Sequence, residues 1–155
     1  MNLLMRAVFG LASSRPGTWL FLHVFPHIDR PLLRLSGGRL SLSLGQPILL
    51  LTTRGARTGQ PRSSPLMYVA DGERVALIAS NGGRPRHPAW YHNLRANPEA
   101  TLTLRGETRR YRAREAAGAE RQRLWAKAVG QYLGYATYQR RAGERPIPVM
   151  VLEPL

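Results

Sequence analysis

The sequence predicts a mainly β domain with peripheral helices, an α+β fold whose strands close into a small antiparallel barrel. Three observations carry this. Short runs alternate apolar and polar residues, as in Leu40-Ser41-Leu42-Ser43-Leu44 and Ala100-Thr101-Leu102-Thr103-Leu104-Arg105, the period of a strand with one buried face. Tight turn signals, Asp71-Gly72 and Gly106-Glu107, separate apolar runs and predict hairpins. Strands do not alternate regularly with crossover helices, so a doubly wound parallel sheet fits badly, whereas closure would remove exposed strand edges.

In chain order, residues 1–35 are apolar, with runs from Met1 to Ala12 and from Trp19 to Phe25, both shorter than the ~20 residues of a membrane span. Ser14 with Pro16 marks one helix start. Asp29 with Pro31 marks a second, stopped by Gly37-Gly38. Two short helices are expected, covering the core, walling an apolar substrate site or anchoring at a membrane interface. Residues 40–44 form a strand, and Gly45-Gln46-Pro47 turns the chain into Leu49–Thr53. A basic loop, Arg54 to Arg62, leads to a strand through Ser63–Ala70, and Asp71-Gly72 turns it into Arg74–Ser80. Pro88–Asn97 reads as a short helix stopped by Asn97-Pro98. Residues 100–105 and 108–113 form a hairpin, a helix runs from Gly118 or Ala119 through Tyr132, and Ile147–Leu152 closes the chain as a strand. Its prolines confine that strand to an edge or a special pairing position.

At 155 residues the chain is read as one domain, with 1–38 as a helical extension and 39–155 as the barrel. There is no cysteine, hence no disulfide or thiolate metal site, and His23, His27, His87 and His92 lack metal-ligand spacing, so no metal is expected. The net charge of +14 calls for an anionic partner: nucleic acid, an anionic membrane or an acidic cofactor. The arginines are spread along the chain, with Lys127 the single lysine among 23 basic residues. No nucleic-acid-binding motif accompanies them, and nucleic acid is not expected. A signal peptide matches poorly, which makes the cytoplasm the expected location, with peripheral contact at the inner membrane face through the N-terminal helices.

Two sets of residues carry candidate chemistry. Gly55 and Gly59 permit close ligand approach and an anion-binding concavity of backbone N–H groups. Arg54, Arg57 and Arg62 add forked donors. With Gly82-Gly83 and an aromatic wall of Trp90 and Tyr91, this unit suits an elongated anion; ordinary hairpin loops on a basic protein are the other reading. Tyr132, Tyr135 and Tyr138, spaced by three, share one helical face near Trp125. They are either a core-facing stripe or a row of phenolic donors.

The blocks Leu51–Arg62, Pro65-Leu66, Asp71-Gly72, Ala79–Gly83, Pro88–Pro98 and Arg145–Val149, in that order, closely resemble the deazaflavin-dependent nitroreductase and quinone reductase family, which uses coenzyme F420. The similarity covers about Gly45 to Pro154. It implies a split β-barrel of the flavin-reductase, FMN-binding-like type. It also implies a cofactor tail along Ala56, Arg57 and Thr58, with Arg62, Ser63, Ser64, Pro65, Leu66 and Met67 beneath the cofactor and Arg54 nearby. The deazaflavin ring would lie beside Ile78, Ala79, Ser80 and Asn81, flanked by Ala89, Trp90, Tyr91, His92 and Asn93. Ser80, Tyr132, Tyr135 and Tyr138 become the catalytic set, with Tyr135 also touching cofactor. Met67, Ala56 and Asn81 depart from residues that better-known members carry. The activity implied is hydride transfer from reduced F420 to a quinone-like acceptor, with nitroaromatics as promiscuous substrates and unsaturated lipids as a further acceptor class. An FMN enzyme on the same barrel, or a non-catalytic binder of F420 or fatty acid, are the alternatives. Oligomeric state is left open.

Overall fold

The computed structural model describes residues 3–43 and 45–155, without the side chain of Met5. Three helices open the chain: α1 (Leu3–Ser13), α2 (Arg15–His23) and α3 (Phe25–Ser36). Ser14 caps α2 as expected, its hydroxyl accepting from Gly17 N–H with Pro16 in the first turn. The expected start at Asp29 is corrected. α3 begins at Phe25-Pro26, Asp29 lies inside it, and Gly37 ends it at φ 63°.

Asp29 also explains why residues 40–43 are not the strand that their alternation predicts. Its buried carboxylate accepts from Ser41 Oγ (2.6 Å) and Leu42 N–H (2.7 Å), and Ser36 Oγ accepts from Arg39 and Leu40 N–H. Side-chain oxygens thus take the backbone donors that a ladder would need. The expected end of that strand, Leu44, lies outside the described residues.

The sheet has seven strands: β1 (Ile48–Arg54), β2 (Pro61–Met67), β3 (Val69–Asp71), β4 (Arg74–Ile78), β5 (Glu99–Leu104), β6 (Glu107–Glu115) and β7 (Val149–Pro154). Their order is β2-β1-β5-β6-β7-β4-β3, with every pairing antiparallel. The two edge strands, β2 and β3, are consecutive in the chain and separated by Tyr68 alone. The sheet therefore curls back on itself, and the single strand expected through Ser63–Ala70 is two strands at opposite ends of the ladder. The fold is a split β-barrel. β7 is central, between β6 and β4, so of the two expected placements, an edge or a special pairing position, the edge does not hold. Its awkward proline, Pro148, precedes the strand and contributes only its carbonyl, which accepts Ala79 N–H at 2.9 Å.

Both faces of the sheet are covered. Along β4, Val75 and Leu77 enter the barrel interior with Leu49, Leu51, Leu102 and Leu152, while Ala76 and Ile78 pack outward with Val149 and Val151. That outer face is covered by α5 (Gly118–Gln131) and α6 (Gly134–Ala142), through Leu124, Ala128 and the tyrosines. Two-sided burial is why β4 and β7 read as nearly continuous apolar runs. α4 (Ala89–Ala96) closes one barrel end with Trp90, Tyr91 and Leu94. The hairpins carry positive-φ residues where the turns demand them, Gly72 at 63° and Arg105-Gly106 at 48° and 83°.

Candidate functional site

Two adjoining cavities gather most of the expected residues. The first, of about 710 Å³, is a basic groove along the loop between β1 and β2. It is lined by Ala56, Arg57, Thr58, Arg62, Ser63 and Ser64, by Ala89, Trp90 and Asn93 of α4, and by Arg30 and Arg34 of α3. The loop is shaped by its own hydrogen bonds: Gly55 N–H to Gln60 O (2.8 Å), Gly59 N–H to Gly55 O (2.9 Å) and Gln60 N–H to Thr58 Oγ (3.2 Å). Ala56 N–H donates to Asn93 Oδ1 at 2.9 Å, and Asn93 Nδ2 donates to Thr53 Oγ at 3.1 Å, so one buried amide ties the loop to α4 and β1. The expected concavity of free N–H groups is therefore largely consumed internally, and recognition of an anion falls to the guanidinium groups.

The second cavity, of about 270 Å³, lies at the split of the barrel. Ser64, Pro65, Leu66 and Met67 form one wall, Ile78, Ser80 and Asn81 another, and Trp90 a third. Tyr132, Tyr135 and Tyr138 complete it, and Thr18, Phe21, Leu22, Pro26 and Arg30 roof it from α2 and α3. Arg30, Ser64 and Trp90 line both cavities, so groove and cavity form one continuous site. Arg30 Nε, at this junction, is buried without a hydrogen-bond partner. That atom is closed off from solvent, so an anionic ligand passing from groove to cavity would meet the rest of the Arg30 guanidinium, which borders both. Among the described residues, no acidic side chain lines either cavity.

The tyrosines do not share one helix, as their spacing suggests. α5 ends at Gln131, Tyr132 sits in the break, and Tyr135 and Tyr138 belong to α6. They nonetheless converge, with ring centroids 5.3 Å (Tyr132–Tyr135), 6.0 Å (Tyr132–Tyr138) and 6.3 Å (Tyr135–Tyr138) apart. Gly134 makes this possible: a Cβ there would stand 2.3 Å from the Tyr132 ring. The Tyr132 and Tyr138 hydroxyls are 3.1 Å apart, so whichever accepts keeps its own proton for a ligand. Burial raises the Tyr132 and Tyr135 phenol pKa well above the ordinary value, with the neighbouring Tyr138 adding to it. Both stay neutral donors at physiological pH.

The Ser80–Arg86 loop is braced from behind. Arg145 donates to the carbonyls of Ser80 (2.8 Å) and Arg84 (2.9 Å) and to His87 Nδ1 (2.8 Å). Burial, then the nearby Arg145 charge, lowers the His87 pKa and keeps Nδ1 an acceptor. Asn81 Nδ2 donates to Arg86 O (2.9 Å).

Some expected residues lie elsewhere. Arg54 lines a separate surface hollow with Gly59, Pro61, Glu99 and Arg110, so the cofactor-binding place expected for it does not coincide with the groove. Tyr91 is buried in the core, its hydroxyl donating to Glu115 (3.1 Å) and accepting from Arg95 (3.2 Å). His92 is exposed beside His87, and Ala79 is a barrel-core residue. None of the three lines either cavity. Arg30 and Arg34 were not anticipated; their spacing of four on α3, one helical turn, is the only local signal for them.

A third cavity, of about 500 Å³ and almost entirely apolar, opens under α1 and α2, lined by residues such as Phe9, Trp19, Leu20 and Leu42. It meets the second cavity at Phe21, Met67 and Tyr132. Among the described residues, no helix is long and apolar enough to cross a membrane.

Comparison with known proteins places this architecture. The family described as F420H(2)-dependent quinone reductase matches residues 29–154. An F420H(2)-dependent quinone reductase of Mycobacterium tuberculosis (strain H37Rv) is 37% identical over 142 residues, covering 86% of this chain and 95% of that protein. A solved F420-H2 dependent reductase is 42% identical, with a TM-score of 0.64, covering 69% of this chain and 94% of that one. A heme storage protein from Vibrio cholerae, 13% identical with a TM-score of 0.54 over 81% of this chain and 89% of that one, shares the fold alone.

Proposed function

We propose, because this chain belongs to the F420H(2)-dependent quinone reductase family, that its two joined cavities hold coenzyme F420 and a quinone side by side for two-electron reduction. The protein is an F420-dependent oxidoreductase. The observation that carries it is the continuity of a basic groove with an aromatic cavity, with the Arg30 side chain bordering both.

In this reading Arg57, Arg62, Arg34 and Arg30 hold the anionic tail, while Thr58, Ser63 and Ser64 supply neutral donors along it. Pro65, Leu66 and Met67 support the ring from one side, with Ile78, Ser80 and Asn81 beside it and Trp90 at the junction. When bound, F420 supplies the two electrons as a hydride. Tyr132 and Tyr138 aim a phenolic proton at the acceptor oxygen, and Tyr135, neutral and buried, orients the acceptor. As the oxygen gains negative charge, these preorganised donors strengthen their hydrogen bonds in a site that α2 shields from water. A proton from solvent, relayed through these hydroxyls so that each tyrosine stays neutral, completes a hydroquinone. The apolar cavity at Phe21 and Met67 gives room for the hydrophobic part of such an acceptor. Nitroaromatic reduction is a promiscuous use of the same site. The chain acts as one domain, with α1, α2 and α3 as its helical cover.

The test is titration with F420 and with FMN, followed by re-oxidation of reduced F420 upon adding menadione, a tail-less naphthoquinone. Selective F420 binding with menadione-dependent turnover is expected. Preference for FMN, or F420 binding without turnover toward any quinone, would overturn the reading.

A further inference from the structure

We propose that Arg141 is a positioning residue for the acceptor cavity, one guanidinium that locks the α1–α2 cover onto the Gly82 turn and the tyrosine helix. The inference rests on the reading of the second cavity as the acceptor site. Arg141 is not among the residues lining that cavity, so any effect on it runs through the groups Arg141 holds.

Those groups come from four places in the chain. Nη2 donates to Ser13 O (2.8 Å), the end of α1. Nη1 donates to Gly82 O (3.1 Å), in the turn that carries Ser80 and Asn81, and to Thr18 Oγ (3.3 Å) on α2. The guanidinium carbon lies 5.7 Å from the centroid of the Tyr138 ring. Each contact does something different. Ser13 O is a last-turn helix carbonyl, where a cation is favoured. Thr18 is buried and lines the cavity roof. The Tyr138 contact places a cation on the face of a ring whose hydroxyl meets Tyr132.

The packing around Arg141 leaves little slack. A Cβ on Gly82 would stand 2.3 Å from Thr18 Cγ2 and 3.1 Å from Leu22 Cδ1, so α2 rests directly on this turn. A Cβ on Gly83 would stand 2.5 Å from Tyr138 O and 2.9 Å from Arg141 Cβ. Two glycines thus let three backbones close around one guanidinium. The other polar tie between α2 and this loop, Arg84 Nη2 to His23 Nε2 at 3.3 Å, is exposed and open to competition from water. Arg141 is therefore the main polar fastening of the roof. A lysine could not replace it, since a single ammonium cannot fork to three acceptors and stack on a ring at once.

The consequence is kinetic. With the fastening gone, α2 moves relative to the Gly82 turn, and the cavity loses shape on its acceptor side. The groove, built from the β1–β2 loop, α3 and α4, keeps its own hydrogen bonds. The experiment compares wild type, Arg141→Ala, Arg141→Lys and Thr18→Val. For Arg141→Ala, the KM for menadione should rise on the order of tenfold while the F420 dissociation constant stays within about twofold. Arg141→Lys should fold without restoring KM. Millimolar guanidinium chloride should lower the raised KM of Arg141→Ala, and equal sodium chloride should not. Trypsin should cut after Arg6, in α1, whose last-turn carbonyl Arg141 holds, faster in Arg141→Ala, a readout independent of turnover. Thr18→Val removes one arm and should shift KM and cleavage the same way by less, which keeps the test alive if Arg141→Ala is not recovered folded. Unchanged KM and trypsin rate, or equal loss of menadione and F420 affinity, would overturn the proposal. Absence of menadione turnover in the wild type would instead remove the acceptor-site reading, and the trypsin comparison would still decide whether Arg141 fastens the roof.

Discussion

Replacing Asn93 by alanine should loosen the β1–β2 loop and destabilise the fold by an amount that the contacts set. Asn93 is 8% exposed and spends its whole amide on the protein: Oδ1 on Ala56 N–H at 2.9 Å, Nδ2 on Thr53 Oγ at 3.1 Å. Each such bond contributes about 1 kcal/mol net. Thr53 is buried, and its remaining contact, donation to Arg62 O, is long at 3.4 Å, so losing Asn93 leaves the hydroxyl poorly satisfied at a further cost of about 1 kcal/mol. Ala56 N–H lies in an exposed loop and can turn to water. Alanine returns roughly 0.5 kcal/mol through its better helix propensity in α4. The expected loss is about 2–3 kcal/mol, read as a urea midpoint lower by roughly 1 M at ordinary slopes. The second readout is F420 titration. Since the same bond holds the start of Ala56-Arg57-Thr58, affinity should fall on the order of tenfold in the folded variant. Thr53→Val removes the second bond and leaves the one to Ala56 N–H, which tests the two separately. A midpoint unmoved by Asn93→Ala would refute the energetic reasoning. A lower midpoint with unchanged F420 affinity would detach the loop's position from cofactor binding.

Four further outcomes are expected. Tyr135→Phe should lower turnover on the order of tenfold with little effect on F420 affinity; equal turnover would remove its role. Arg57→Ala and Arg30→Met should each weaken binding of glutamylated F420 more than of a tail-less analogue, and identical losses for both ligands would contradict the tail assignment. Gly83→Ala places a side chain at φ 76° and 2.5 Å from Tyr138 O, so the melting temperature should drop by an amount corresponding to at least about 2 kcal/mol; an unchanged melt would mean that the turn relaxes freely. Asp71, hydrogen-bonded first by Arg123, has its carboxyl pKa lowered from 3.8 to about 2. Because the folded value is the lower one, its contribution is fully present above pH ~4 and lost as pH falls toward 2. With the pairs partly exposed, that contribution is about 1 kcal/mol in all, and Arg123→Ala should flatten the acid limb of stability against pH by only part of it, because Arg74 still pairs with Asp71 at 2.7 Å.

Local periodicity revealed most strands and almost nothing about closure. The alternation of residues 100–104 and the hairpin turns at Gly72 and Gly106 are local properties, and they appear where expected. The break at Tyr68 is not local: the chain leaves one edge of the sheet and joins the other, and no hydropathy period marks that step. Residues 40–43 failed for a different reason, because a carboxylate a dozen residues upstream captured their donors. The tyrosines were legible as a set, through spacing and resemblance. Their convergence depends on a helix break and on Gly134, which spacing alone disguised as one continuous face. Arg30 was the hardest to see. Nothing in its neighbours distinguishes it from other helical arginines; only the docking of α3 beside the β1–β2 loop brings it to the junction of the two cavities.

The charge distribution gives the large positive excess a definite place. Of 23 basic and 9 acidic residues, the acids that form ion pairs are Asp71, Glu99, Glu120 and Glu153. They neutralise Arg74, Arg110, Arg112, Arg114 and Arg123, all on the β3–β4 hairpin, β6 or α5, and none of these lines the groove. Among the described residues, no carboxylate pairs with Arg30, Arg34, Arg57 or Arg62. Asp29, next in sequence to Arg30, is turned to Ser41 and Leu42 instead. Acids are thus spent on holding strands and helices together, and the groove keeps an uncompensated field. Such a field steers an anionic cofactor in and weakens with added salt. The affinity for glutamylated F420 should therefore fall with ionic strength more steeply than that for a tail-less analogue. If the two fell in parallel, the field would act on the ring pocket, and the four arginines would not be the tail site.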